Sequence, residues 1–111
     1  MEVKDLGKTS TGMQANLAAL LSYLLGFVTG IIFYVVEKEN KFVRFHAMQS
    51  IVVFGFFFAL SIVVSIIPIV NMLVFPVWIL ELILWVILMV KAYQGERFKL
   101  PVAGDIAEKN S

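Results

Sequence analysis

Three apolar runs, over residues 17–36, 51–70 and 72–90, take up most of the 111-residue chain. A helix needs about 20 apolar residues to cross a ~30 Å hydrocarbon core, and each run is near that length. A helix that is apolar all round has no face for water. Three of them in so short a chain cannot be hidden from solvent, so the solvent must be lipid. The expected fold class is all-α: an integral membrane protein, a bundle of three transmembrane helices.

Composition narrows the function classes. Hydrophobic residues make up 60% of the chain and charged ones 15%, which excludes disorder. Net charge is +1, so no basic field exists to hold nucleic acid. There is no cysteine and one histidine, so no thiol chemistry and no metal site is expected. No phosphate-cradling glycine loop or HExxH motif occurs. No catalytic residue and no cofactor is expected, and the chain reads as non-enzymatic. The first run is too long for a signal-peptide core, and no small-residue cleavage site follows it, so it reads as retained.

Punctuation residues set the expected boundaries. Residues 1–11 are mostly polar and read as a flexible N-terminus. Thr11 and Gln14 have the spacing of a capping box. A transmembrane domain over 12–93 follows, with helices at about 12–36, 41–67 and 73–93. Asn40 suits the N-cap of the second helix. That helix has an interfacial start, because Lys41-Phe-Val-Arg-Phe-His46 mixes aromatics with cations. Pro68 and Pro76 bracket the second turn. Gly95 suits a helix C′ position, and 94–111 reads as a cytoplasmic tail with one short helical segment.

Orientation follows from the cations. With three spans, Lys4 and Lys8 lie on one face. The other face carries seven: Lys38, Lys41, Arg44, Lys91, Arg97, Lys99 and Lys109. The positive-inside rule then places the N-terminus outside and the C-terminus in the cytoplasm.

Two features inside the runs stand out. Ala18, Ser22, Gly26 and Gly30 recur at spacings of four. Such a stripe lets helices approach closely in lipid, either within the chain or between copies in a homo-oligomer. Glu81 sits near the centre of the third helix, where a carboxylate is expensive. Ser61, Ser22 and Tyr23 fall at a similar depth, so an intramembrane polar cluster is expected.

Three stretches carry a resemblance: Asn16-Leu-Ala-Ala-Leu-Leu-Ser-Tyr23, Glu37-Lys-Glu-Asn-Lys-Phe-Val-Arg-Phe-His-Ala-Met-Gln-Ser50 and Tyr93-Gln-Gly-Glu-Arg-Phe-Lys-Leu-Pro-Val-Ala-Gly-Asp-Ile-Ala107. Together they resemble a family of small prokaryotic membrane proteins of unknown function. That family looks related to the twenty-kilodalton Tic subunit of the chloroplast inner-envelope import machinery. The resemblance implies an α-helical membrane protein and, for the plastid relatives, a role in a protein-conducting complex. It marks Arg44, His46, Gln49, Pro101 and Gly104 as signature positions, with no chemical role attached. The plastid proteins are drawn with four spans, where this chain offers three runs.

The expected function is therefore binding: a subunit or accessory of a transport or assembly complex, with the lipid bilayer and a membrane protein as partners. The alternative is an oligomeric pore, or a proton- or ion-linked carrier, that uses Glu81.

Overall fold

The computed structural model describes residues 7–111, which form α-helices and one 3-10 turn, with no strand among them. The helices are α1 (Ala15–Leu24), α2 (Phe27–Val36), α3 (Lys41–Ile66), α4 (Val74–Tyr93) and α5 (Ala103–Lys109). The 3-10 turn Val70–Leu73 precedes α4.

Two segments, Lys41–Ile66 and Val70–Tyr93, are long and apolar enough to span a bilayer. The expectation of three spanning helices is corrected at the first run, which is broken into α1 and α2. Each has 10 residues and so is about 15 Å long, half a hydrocarbon core.

α1 and α2 form a hairpin. α1 runs antiparallel to α4: Asn16 Nδ2 donates to Tyr93 O at 3.0 Å, and Trp85 Nε1 donates to Tyr23 O at 2.7 Å. α2 runs antiparallel to α3: Ser50 Oγ donates to Gly26 O at 2.8 Å, and Arg44 Nη1 donates to Tyr34 O at 2.9 Å. The ends are pinned together, because the Ser10 N–H donates to both Glu37 carboxylate oxygens at 2.9 and 2.8 Å. The chain thus arrives and leaves on one side. The expected placement of the N-terminal segment across the membrane from the 37–40 linker is corrected accordingly.

The hairpin does not cross. Its tip at Gly26 packs on Phe54, and α3 continues to Ile66, about 18 Å further at 1.5 Å per residue. Measured on α4, the tip lies near Trp85, about 17 Å from the helix start at Val74. This is a re-entrant element.

The break has a local cause. Gly26 has φ 63° and ψ −135°, a conformation that a side chain strongly disfavours. In a bilayer each backbone group freed by the break needs a protein partner. Thr29 supplies two contacts: its Oγ1 accepts from Leu25 N at 3.1 Å and donates to Ser22 O at 3.1 Å. Ser50 and Trp85 add side-chain donors to the carbonyls of Gly26 and Tyr23, which also accept from Gly30 N and Gly26 N.

At the other end, the Asn40 side chain accepts from Val43 N at 3.0 Å and caps α3. The Thr11–Gln14 capping box is absent: α1 begins at Ala15 with no side-chain cap. Of the segment expected to be flexible, residues 1–6 lie outside the described residues, as does Lys4. Lys8 O accepts from Asn40 Nδ2 at 3.1 Å, so the segment from Lys8 to Ser10 is held against the linker. After α4, Gly95 (φ 81°) reverses the chain, with Glu96 N donating to Lys91 O at 3.0 Å. The tail then folds back along α3.

The core lies on the hairpin side of the molecule. Ala15, Ala18, Ala19 and Tyr23 of α1 pack with Phe42, Val43 and Phe54 of α3 and with Leu88 and Ala92 of α4. Beyond the tip, α3 and α4 pack on each other and on the 70–73 turn, with Phe27 against Phe58, and Ile62, Ile66, Trp78 and Leu82 are exposed for lipid to cover.

Candidate functional site

Three arrangements of polar groups are built on this frame. The first is a buried network centred on His46, one α-helical turn before Gln49 and Ser50. Tyr23 Oη lies 2.6 Å from His46 Nδ1, and Gln49 Nε2 donates to the same hydroxyl at 3.0 Å. His46 Nε2 lies 2.9 Å from Glu96 O. A carbonyl only accepts, so Nε2 carries the proton and Nδ1 accepts from Tyr23. Gln49 Nε2 also donates to Phe98 O at 2.8 Å, and its Oε1 accepts from Leu100 N at 3.0 Å. Every one of these side chains is buried. Phe42 and Phe45 pack edge-on against the imidazole, with ring centroids 4.6 and 5.0 Å away. The network engages its own donors and acceptors and docks the tail on α3.

The second arrangement is a charged face made of the linker, the tail and the ends of α2 and α3. Arg44 Nη1 donates to Tyr34 O at 2.9 Å and to Glu37 O at 2.8 Å, at the carbonyl end of α2. Its guanidinium lies 4.1 Å from the Tyr34 ring centroid, and its Nε donates to Ser111 O at 3.2 Å. Glu37 is buried, and among the described residues no cation pairs with its carboxylate. Its carboxylate instead accepts from the N–H groups of Ser10, Glu39 and Asn40. Burial pushes the Glu37 carboxyl up, but these donors act more strongly and hold it below its usual value. Lys99 pairs with Glu108 at 2.8 Å and Asp105 at 3.2 Å, and both contacts hold its ammonium above the usual range. All eight described Lys and Arg residues lie on this face, and the opposite turn 67–73 carries none.

The third arrangement is a cleft of about 660 Å³ beyond the hairpin tip. Leu25, Gly26 and Phe27 roof it, and α3 and α4 form its walls. Ser61, Ser65, Trp78, Glu81 and Trp85 line it.

The expected polar cluster is thus divided by the tip. Glu81 and Ser61 share the cleft. Tyr23 belongs to the histidine network, and Ser22 Oγ donates to Ala18 O at 3.0 Å within α1. The signature positions converge on the tail. His46 and Gln49 hold its start, Arg44 holds Ser111, and Pro101 opens the turn into α5. Gly104 is required there, because a Cβ would lie 2.8 Å from Lys99 Cα. The small-residue stripe is used inside the chain. Ala18 and Ser22 are fully buried, Gly26 makes the turn, and a Cβ on Gly30 would lie 2.9 Å from Ala47 O. Sequence reasoning passed over Thr29 and did not anticipate what Ser50, Trp85 and Glu37 hold. Thr29 and Trp85 are polar or N–H-bearing side chains inside apolar runs and Ser50 stands at the edge of one, which is the available signal for a broken backbone nearby.

The sequence model of the magnetosome magnetite crystal formation protein family matches residues 8–107. The chain belongs to this family. Proteins described as UPF0132 membrane proteins align with most of the chain. One from Methanocaldococcus jannaschii is 54% identical over 106 residues, covering 96% of each chain. One from Archaeoglobus fulgidus is 51% identical over 98 residues, covering 87% of this chain and 95% of its own. A second from Methanocaldococcus jannaschii is 46% identical, covering 88% of this chain and 71% of its own. No solved structure matches the chain. The family match opens at Lys8, where the N-terminal segment meets Asn40, and closes at Ala107 inside α5. It therefore takes in both ends of the re-entrant hairpin and the docked tail.

Proposed function

We propose that the protein is a non-enzymatic membrane protein that works by binding, as a subunit or accessory of a membrane transport or assembly complex. The observation that carries this reading is the docked tail. Gln49 and His46 fix residues 96–100 on α3 through side-chain to backbone hydrogen bonds. The linker, tail and α5 therefore form a surface organised before any partner arrives, which lowers the ordering cost of binding. The resemblance to the chloroplast import subunit supports a protein-conducting complex as the setting.

On this reading the charged face is cytoplasmic and the membrane is the cell membrane. With the hairpin re-entrant, the positive-inside rule acts on eight cations against none among the described residues. Both the N-terminal segment and the tail then lie in the cytoplasm.

A second reading, an oligomeric carrier, is favoured by Glu81 in the cleft. Two spans and a half-depth hairpin enclose no water path alone, so it requires several copies. Photocross-linking in native membranes separates the two. Probes replace Phe98 and Lys38 on the charged face and Val28 on the lipid side of α2. The subunit reading expects one specific foreign protein at Phe98 and Lys38, lost when Gln49→Leu frees the tail. Self-adducts alone, strongest at Val28, would reject it in favour of the oligomer.

A further inference from the structure

The cleft beyond the hairpin tip is a bilayer-level feature that the docked tail does not explain. Its volume of about 660 Å³ falls within the roughly 300–1,000 Å³ of small-molecule sites. Its walls are apolar and aromatic, with Phe54 and Phe58 from α3 and Trp78 and Trp85 from α4. The Trp85 N–H is engaged by Tyr23 O, which holds that ring in place.

One group in the cleft is out of balance. Among the described residues, Glu81 has no hydrogen-bond or ion-pair partner, although Glu37, the buried carboxylate at the membrane edge, has four donor contacts. An uncompensated carboxylate at this depth is expensive, and such a residue marks a functional site. Compensation must then come from outside the chain, as a proton or as a cation. A bare metal ion fits poorly, because no group of three His, Cys, Asp or Glu side chains exists among the described residues to hold one. A cation on an apolar body fits every wall. Its charge meets Glu81, its body replaces lipid against the phenylalanines, and the indoles attract it through their ring faces.

We propose that this cleft binds a lipophilic organic cation, an ammonium or phosphonium centre on an apolar body, with Glu81 as counter-charge and Trp78 and Trp85 as aromatic walls. The site goes beyond the subunit reading and does not depend on it. It opens sideways into the bilayer, so the ligand arrives from the lipid phase.

The chain has two tryptophans, and both line the cleft, so intrinsic fluorescence reads its occupancy directly. The experiment titrates tetraphenylphosphonium into the full chain in lipid nanodiscs. A saturable fluorescence change is expected. Glu81→Gln weakens the apparent affinity at least tenfold, and Glu81→Asp, which keeps the charge, stays within a few-fold. Tetraphenylsilane, neutral and of similar shape, gives no saturable change on the unaltered chain, an arm that needs no variant. Absence of saturation, equal titrations for the unaltered chain and Glu81→Gln, or equal responses to the two compounds would each overturn the site. So would a photoprobe at Ile62 that captures a foreign membrane helix undisplaced by excess tetraphenylphosphonium, which would assign the cleft to a protein.

Discussion

Ser50 Oγ donates to the carbonyl of Gly26 at 2.8 Å, joining the middle of α3 to the tip of the α1–α2 hairpin. The bond adds a short side-chain donor to a carbonyl that otherwise accepts only long bonds, from Gly30 N at 3.3 Å and Thr29 Oγ1 at 3.4 Å, at a depth without water. Ser50→Ala is expected to cost about 0.6–2 kcal/mol, the range for interhelical hydrogen bonds in lipid. Gly26→Ala places a side chain at φ 63° and is expected to cost about 1–3 kcal/mol. Unfolding in mixed micelles measures both. Costs near zero would mean that the tip is not held as described.

Glu37 makes the hairpin ends pH-sensitive. Its folded pKa lies below its ordinary value, so its stabilisation is fully present above the unfolded carboxylate pKa of about 4.3. That stabilisation is lost as pH falls through the folded value. Hydrogen bonds to a charged group contribute roughly 1.5–3 kcal/mol. Glu37→Gln is therefore expected to be less stable at neutral pH by about that amount, with the gap closing on acidification. Parallel melts across the acid range check the sign.

Gln49 decides whether the tail is docked. Gln49→Leu removes partners from Phe98 O and Leu100 N and leaves the Tyr23 hydroxyl with one fewer donor. Loss of about 2–3 kcal/mol of local stability is expected to speed amide exchange over residues 96–100 by about 30–150-fold. Exchange over α4 should stay unchanged. Hydrogen exchange with mass spectrometry reads both segments in one experiment.

Arg44 cannot be exchanged for lysine without loss. Its guanidinium reaches Tyr34 O, Glu37 O and Ser111 O and lies over the Tyr34 ring. An ammonium has no planar fork for those positions. Arg44→Lys is expected to cost about 1–2 kcal/mol and to expose the C-terminal residues to carboxypeptidase. Equal digestion of both chains would contradict the role.

The second and third runs were legible because no proline falls between Asn40 and Pro68 or between Pro76 and Gly95, and proline and glycine act locally. Asn40 was legible as a cap for the same reason, since its acceptor reaches a backbone N–H three residues on. The hairpin was not legible. Residues 17–36 have the length and composition of one span, and Gly26-Phe-Val-Thr-Gly30 reads equally well as a packing stripe. What makes Gly26 a turn is distant: Ser50 and Trp85 supply the donors, 24 and 59 residues further along. The Glu37 site was hidden too, because its ligands are backbone N–H groups, which every sequence has. Glu81 was visible as an intramembrane carboxylate, but its neighbours depend on where the hairpin stops.

The central claim is that α1 and α2 turn back within the membrane, so that the N-terminal segment, the linker and the tail share one side. The chain has no cysteine, which permits single-site labelling. Thr11→Cys, Glu39→Cys, Lys109→Cys and Met72→Cys, all at exposed positions, are treated with a membrane-impermeant maleimide in sealed vesicles of known sidedness. The account predicts that positions 11, 39 and 109 label together from the cytoplasmic side and position 72 from the other. Labelling of position 11 together with 72 would mean that the first run crosses, and would contradict it.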